Sequence, residues 1–110
     1  MDGIRRVLDQ PRVNAMNGAE AMVRMLEAHG VRYIFGLCGD TTLPFYDALY
    51  RLDHKMQHIL TRDERSAAYM ADGYARVTSK VGVCEGPSGG GATYIPVSYT
   101  HLTLPTICSV

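Results

Sequence analysis

Polar and apolar residues recur at helical spacing in the first patterned segment of the chain, residues 17–30. Asn17 is a favourable N-cap residue, and Glu20 stands three positions later, as in a capping box. Gly30 can adopt the left-handed conformation in which helices commonly end. The pattern therefore predicts an amphipathic first helix, whose apolar face comprises Ala19, Met22, Val23, Leu26 and Ala28.

Three short apolar segments predict strands, at residues 31–37, 56–61 and 80–86. A turn and a helical pattern follow each of them. Strands that alternate with helices predict an α/β fold with a parallel sheet and helices on both faces. Ligands of such sheets bind beyond the carboxyl ends of the strands. We therefore expect the functional residues in the loops at that edge.

The helices between the predicted strands have recognisable beginnings. The first of them runs to about Leu52, with Pro44 in its first turn and a polar cap residue before it: Asp40, Thr41 or Thr42. The next covers residues 64–78, and the segment "PSGGGATY" leads from the third strand into a further helix. The three loops at the carboxyl edge are consequently residues 38–42, 61–65 and 86–93.

Composition narrows the function classes. The chain has 110 residues, 46% of them hydrophobic and 20% charged, and its formal net charge is zero. This balance gives no electrostatic basis for binding nucleic acid or an anionic membrane, and no apolar run has the length of a membrane span. The three cysteines lack metal-ligand spacing, so we expect reduced thiols, a cytoplasmic protein and no metal site in this segment.

The two ends of the chain differ from its middle. We expect residues 1–16 to form an N-terminal arm, with Met16 as an alternative start to Met1. All 11 basic and 11 acidic residues lie before Gly86. The uncharged end, "VSYTHLTLPTICSV", is similar to translated sequencing-adapter DNA over Val97–Thr106. We therefore expect residues 97–110 to be a non-native tail without contacts to the fold, and the native sequence to end near Pro96.

The glycine-rich loop allows more than one interpretation. Gly89–Gly91 permit close backbone approach and could cradle an anion at a helix start, or simply form a tight turn. "GPSGG" also fits the Gly-x-Ser-x-Gly nucleophile elbow after a strand, with Ser88 as the nucleophile of a serine hydrolase. A hydrolase would need an acid and a histidine later in the chain. A noncatalytic α/β binding module is a further alternative.

Glu64 stands where a predicted strand ends and a helix begins. An acid at this place can be an ordinary helix-start residue that interacts with the helix dipole. The surrounding sequence, "TRDERSAAYMADGYARVTSKVGVCEGPSGGGAT", resembles the N-terminal pyrimidine-binding domain of thiamine-diphosphate-dependent enzymes of the acetolactate synthase group. Ala71–Arg76 matches the family pattern in full, and Lys80–Val83 follows in register. The resemblance covers roughly residues 17–94.

The resemblance implies a function and a cofactor. Residues 17–96 would form the first βαβαβ part of the pyrimidine-binding domain, in a 2-oxo acid decarboxylase or carboligase acting on a substrate such as pyruvate. Glu64 would be the catalytic acid that contacts N1′ of the aminopyrimidine of thiamine diphosphate. Mg²⁺ would be bound by a later domain, and the complete enzyme would be a homodimer or tetramer. The segment alone would be inactive.

The family pattern also implies which residues of this chain contact the cofactor: Cys38, Gly39, Glu64, Ser88, Gly90 and Tyr94. Three of them depart from the common pattern, because Cys38 and Gly90 stand where many members have proline, and Tyr94 replaces an asparagine. These departures could change cofactor contacts or substrate choice.

Small residues recur along the helix that begins at Glu64. Ala67, Ala71 and Ala75 lie at i, i+4 and i+8, which places them on one face. Such a face permits close approach by another helix, and in the resembling family this region lies at the dimer contact. Ordinary packing beneath the sheet is the alternative.

Overall fold

The computed structural model describes residues 15–98 of the chain. Within these residues four helices alternate with three strands, and a short 3₁₀ turn, Asp40–Thr42, precedes the second of these helices. In chain order the elements are α1 (Gly18–Ala28), β1 (Tyr33–Gly36), α2 (Leu43–Arg51), β2 (Gln57–Leu60), α3 (Glu64–Thr78), β3 (Val83–Glu85) and α4, which covers residues 90–98. The bounds of α3 agree with the prediction, whereas each strand is shorter than its apolar segment. No described helix is both long and apolar enough to cross a membrane.

The three strands form one parallel sheet in the order β2-β1-β3. Ile34 of the central strand pairs with His58 on one side and with Val83 on the other. Gly36, two residues later, pairs with Leu60 and Glu85. The predicted α/β class is thereby confirmed, and the carboxyl ends of all three strands meet at one edge.

Helices cover both faces of this sheet. Ile34 is fully buried in a core cluster with residues from α1, α2 and the loops that flank β1 and β2: Val23, Val31, Ala48 and Met56. On the opposite face, the rings of Tyr33 and Phe35 lie 5.5 and 6.3 Å from the ring of Tyr74 in α3. Since successive strand residues point to opposite faces, α1 and α2 lie on one face and α3 lies on the other.

Local capping follows the sequence in α1 but not in α2. The Asn17 side chain accepts a hydrogen bond from the Glu20 N–H at 2.8 Å, and the Asn17 N–H donates to the Glu20 carboxylate at 3.1 Å, which completes the predicted capping box. The predicted side-chain cap of α2 is wrong. Thr42 precedes this helix, but its hydroxyl accepts from the Gly39 N–H instead, because the 3₁₀ turn folds it backwards.

The small residues of α3 serve packing within the chain. Ala67 is fully buried, and Ala71 is only 5% exposed. A Cβ atom at Gly82, just before β3, would overlap the backbone of Ala71. Because the side chains of α3 are small here and Gly82 has none, α3 can lie close to the sheet. This is the expected alternative in which the small residues pack beneath the sheet. The exposed large residues of this helix are on other positions: Tyr69, Met70 and Val77.

The start of the uncharged tail takes part in the fold. Ser98 is fully buried, and its hydroxyl donates a hydrogen bond to the Arg65 carbonyl at 3.1 Å. The expectation that residues 97–110 make no contacts is therefore wrong at Ser98, because the helical geometry of α4 carries this hydroxyl onto the first turn of α3. Residues 99–110 lie outside the described part of the chain, and the adapter origin of the tail stays a prediction.

Candidate functional site

The three loops at the carboxyl edge contact one another, as the parallel topology predicts. The Ser88 N–H donates to the Thr41 hydroxyl at 2.8 Å, which joins the third loop to the first. A Cβ atom at Gly39 would overlap the ring of Pro87, so these two loops also meet through their backbones. The third loop also touches Glu64, the first residue of α3. The edge thus brings together residues that are distant in sequence.

Two glycines bring the third loop close to the Glu64 side chain. A Cβ atom at Gly86 would lie 3.3 Å from Cγ of Glu64, and one at Gly91 would lie 3.2 Å from its Oε1. The position of Gly91 is also crowded by Pro87, whose Cδ would be 2.7 Å away. Side chains at these two positions would displace the carboxylate or the loop. Close packing therefore explains these two glycines, against Ile95 and Glu64 at Gly86 and against Pro87 and Glu64 at Gly91.

The two neighbouring acids at the start of α3 have different surroundings. Asp63 is the N-cap, and its carboxylate accepts hydrogen bonds of 2.8, 2.9 and 2.8 Å from the Arg65 N–H, Nε and Nη2. The Arg65 side chain, followed by the Arg65 backbone N–H, lowers the pKa of Asp63 to about 2. Glu64 is partly buried, and no described residue donates a hydrogen bond to its carboxylate. Asp63 is thus engaged in the fold, whereas the Glu64 carboxylate has no such donor among the described residues.

The stability of the chain should depend on the ionised form of Asp63. Its folded pKa of about 2 lies below the ordinary value of 3.8, so its contribution is fully present above about pH 4 and is lost as the pH falls through 2. Asp63→Asn keeps a good N-cap residue but removes this charge. We expect the urea midpoint of the variant to lie below that of the unchanged chain at neutral pH, with a difference that vanishes near pH 2. A constant difference across this range would contradict the assignment.

The other predicted cofactor residues lie at the same edge but not in one cluster. The Arg65 guanidinium lies over the Tyr94 ring at 5.6 Å, and a Cβ atom at Gly90 would approach that ring to 3.8 Å. Cys38 is exposed, with only a long contact of 3.9 Å from its thiol to the Gly39 carbonyl. Among the described residues, no hydrogen bond or ion pair joins Cys38 or Tyr94 to Glu64.

The surroundings of Ser88 do not support a hydrolase. Ser88 is exposed, and the described histidines are engaged elsewhere: His29 with the Met25 carbonyl, His54 with the Leu49 carbonyl and His58 with the Tyr46 hydroxyl. None of these three imidazoles contacts the Ser88 hydroxyl, so the described part of the chain provides no general base for it.

Sequence reasoning did not single out Glu85, the last residue of β3. Its carboxylate accepts a hydrogen bond from the Tyr46 hydroxyl, which also lies 2.8 Å from Nε2 of His58. The alternation of residues along β3 could have drawn attention to Glu85. Glu85 stands two positions after Val83, and period-two alternation places both on the face that packs against α1 and α2. An acid on the inward face of a strand needs a partner, which the sequence alone did not identify.

The geometry defines a class of protein. The structure is a parallel α/β layer whose strand-end loops surround the Glu64 carboxylate, which no described residue pairs with, as in α/β domains that bind ligands at the carboxyl edge. Residues 16–97 match the family described as "Thiamine pyrophosphate enzyme, N-terminal TPP binding domain". The chain belongs to this thiamine pyrophosphate enzyme family, and its resemblance to the pyrimidine-binding domain is confirmed.

Several curated relatives carry the same kind of name. A "Probable acetolactate synthase large subunit" of Methanococcus aeolicus is 59% identical over 78 residues, which are 71% of this chain and 13% of that protein. A protein of the same name from Methanocaldococcus jannaschii is 56% identical over 78 residues, with the same shares of 71% and 13%. The "Acetolactate synthase isozyme 2 large subunit" of Escherichia coli (strain K12) is 46% identical over 92 residues, 84% of this chain and 16% of that protein. The chain therefore spans only 13–16% of the length of these relatives.

Proposed function

We propose that this chain supplies the pyrimidine-contacting part of a thiamine-diphosphate-dependent enzyme that decarboxylates a 2-oxo acid such as pyruvate and ligates the product. One observation carries the proposal: the Glu64 carboxylate has no donor among the described residues and lies against Gly86 and Gly91. Membership of the family and relatives named acetolactate synthase support it.

The hydrogen-bonding groups at the carboxyl edge of the sheet suit an aminopyrimidine ring. A ring nitrogen needs a hydrogen-bonding partner, and the Glu64 carboxylate accepts no hydrogen bond from residues 15–98. Asp63 cannot take this role without giving up Arg65, which already donates to both of its oxygens. We therefore assign to Glu64 the proton shared with N1′ of the ring. When bound, thiamine diphosphate supplies the electron sink for decarboxylation.

The remaining contacts are proposed from their position at the edge. Gly39, Ser88 and Gly90 lie in the two loops joined by the hydrogen bond from Ser88 to Thr41, so they can border the same ligand. Cys38 and Tyr94 flank these loops, and both are exposed to an incoming group. In this proposal the loops fix the ring against Glu64 while the charge of the diphosphate is bound elsewhere.

The complete enzyme is proposed to contain further parts. Mg²⁺ and the diphosphate would be held by another domain, and catalysis would require a homodimer or tetramer, so the 110-residue segment is expected to be inactive alone. We place the protein in the cytoplasm, since Cys38 and Cys84 are free thiols. The domain division into an arm of residues 1–16, a partial domain of residues 17–96 and a tail of residues 97–110 is likewise proposed.

The experiment compares Ser88→Ala with the unchanged residue in a full-length protein that contains residues 17–96. We expect pyruvate consumption to depend on added thiamine diphosphate and to survive the substitution with a similar maximal rate, because Ser88 contributes only a contact at the edge. A serine hydrolase would lose its activity in Ser88→Ala and would not respond to the cofactor. Pyruvate consumption without thiamine diphosphate would contradict the proposal directly.

A further inference from the structure

A line of three polar side chains crosses the sheet beneath α2. Glu85 at the end of β3 contacts Tyr46 of α2, and Tyr46 contacts His58 of β2. The side chain of Glu85 can reach this far because its neighbour on the central strand is Gly36, where a Cβ atom would overlap the carboxylate. These three groups belong to the face opposite α3 and are separate from the Glu64 carboxylate.

The direction of the two hydrogen bonds follows from the number of available hydrogens. An ionised carboxylate only accepts, and a phenol has one hydrogen to donate. The Tyr46 hydrogen is directed to Glu85. The bond between Tyr46 and His58, 2.8 Å long, must then have Nε2–H of the imidazole as its donor. The order of donors is therefore His58 to Tyr46 to Glu85.

We propose that His58, Tyr46 and Glu85 form a half-buried hydrogen-bonded relay across the sheet, in which His58 donates to Tyr46 and Tyr46 donates to Glu85, and that as positioning residues they hold α2 and its preceding turn against β3. In this order His58 donates from Nε2, Tyr46 both accepts and donates, and the Glu85 carboxylate accepts at the end.

The second oxygen of Glu85 supports an acceptor role. Oε1 is buried and has no hydrogen-bond partner among the described residues. Such an atom destabilises the fold unless the group gains another hydrogen-bond partner. The neighbouring titratable groups are Cys38, which acts on Tyr46, and Cys84, on which Glu85 acts. No described cation is paired with Glu85, so His58 is the nearby group that can supply positive charge.

Burial and charge act on His58 in opposite directions. Removal from water lowers the pKa of His58, and the charge of Glu85 raises it. For Tyr46, burial raises the pKa, followed by the hydrogen bond to Glu85, so the phenol stays neutral and bridges the two ends. Loss of the Glu85 charge should therefore move the titration of His58 to lower pH.

The test is ¹⁵N NMR of the full 110-residue chain with labelled histidine. Two histidines serve as internal references for the tautomer, because hydrogen bonds to the backbone fix which of their ring nitrogens carries the proton. The His54 Nε2–H donates to the Leu49 carbonyl while its Nδ1 accepts from the Met56 N–H, and the His29 Nδ1–H donates to the Met25 carbonyl. His101 lies outside the described residues, and its signal is identified with His101→Gln.

We expect neutral His58 to be the Nε2–H tautomer, like His54 and unlike His29. Tyr46→Phe should lower the ratio of Nε2–H to Nδ1–H by about fivefold, which is the size of one net hydrogen bond. Glu85→Gln keeps the shape without the charge and should shift the titration of His58 to lower pH.

Three results would overturn the relay. They are an Nδ1–H tautomer of His58 in the unchanged chain, a tautomer ratio unaffected by Tyr46→Phe, or a His58 titration unaffected by Glu85→Gln. Random-coil shifts for His58 in the unchanged chain would also overturn it, because the three groups would not be held together. The measurement on the unchanged chain decides the donor order even if a variant fails to fold.

Discussion

Glu64→Gln is expected to slow removal of the C2 proton of bound thiamine diphosphate by about 10²–10⁴-fold in a full-length protein that contains this segment, the range of a lost general acid–base contribution. Glutamine preserves the length and shape of the side chain but cannot share an acidic proton with N1′. Cofactor binding should weaken much less, because in the proposed function another domain holds the diphosphate and the metal. The measurements are C2 hydrogen exchange of the bound cofactor and pyruvate turnover.

Asp63→Asn is the matched control for this substitution. It makes the same chemical change one residue earlier, at a carboxylate that already accepts three hydrogen bonds from Arg65. We expect nearly unchanged C2 exchange in this variant. Full C2 exchange in Glu64→Gln would contradict the role of Glu64. An equal loss of exchange in both variants would also contradict it, since both acids would then act only through the start of the helix.

Ile34→Ala is expected to destabilise the chain by about 2–5 kcal/mol, the usual cost of removing a large buried aliphatic side chain. Ile34 is 0% exposed at the centre of the middle strand, where residues of both α1 and α2 pack around it. The cavity would lie beneath the line from Glu85 to His58, since Ile34 pairs with His58 in the sheet. Urea unfolding of the 110-residue chain measures the effect.

Leu60→Ala removes the same number of carbon atoms from a strand position that is 69% exposed. Its effect on the free energy of unfolding should stay within about 0.5 kcal/mol, as for most surface substitutions. Equal losses for Ile34→Ala and Leu60→Ala would show that the sheet does not have the described core. A loss confined to Leu60→Ala would contradict the described burial of Ile34 and exposure of Leu60.

Local signals predicted the elements but not all of their ends. The capping box of Asn17 and Glu20 formed because both partners are only three residues apart and need no tertiary contact. The cap of α2 was predicted wrongly, since Thr42 has several polar backbone groups within reach and the 3₁₀ turn directs its hydroxyl to Gly39. The strands were shortened because a pairing partner, rather than apolarity alone, sets where a strand ends.

The candidate site was predictable in its position but not in its contacts. Parallel topology requires that the loops after β1, β2 and β3 meet, so the approach of Gly91 to Glu64 follows from the order of elements. The separation of roles between Asp63 and Glu64 did not follow, because it depends on where the Arg65 side chain points. The contact of Ser98 with the Arg65 carbonyl was missed because it depends on how α4 packs against the first turn of α3.

The sequence by itself determined the α/β class, the start of α3 at Glu64 and the family, since periodicity, caps and a long ordered motif are all local properties of the chain. Only the tertiary structure decided that Glu85 crosses the sheet to Tyr46 and His58. Those residues lie on three different elements. Their meeting depends on strand order, register and the absence of a side chain at Gly36, which no local pattern specifies.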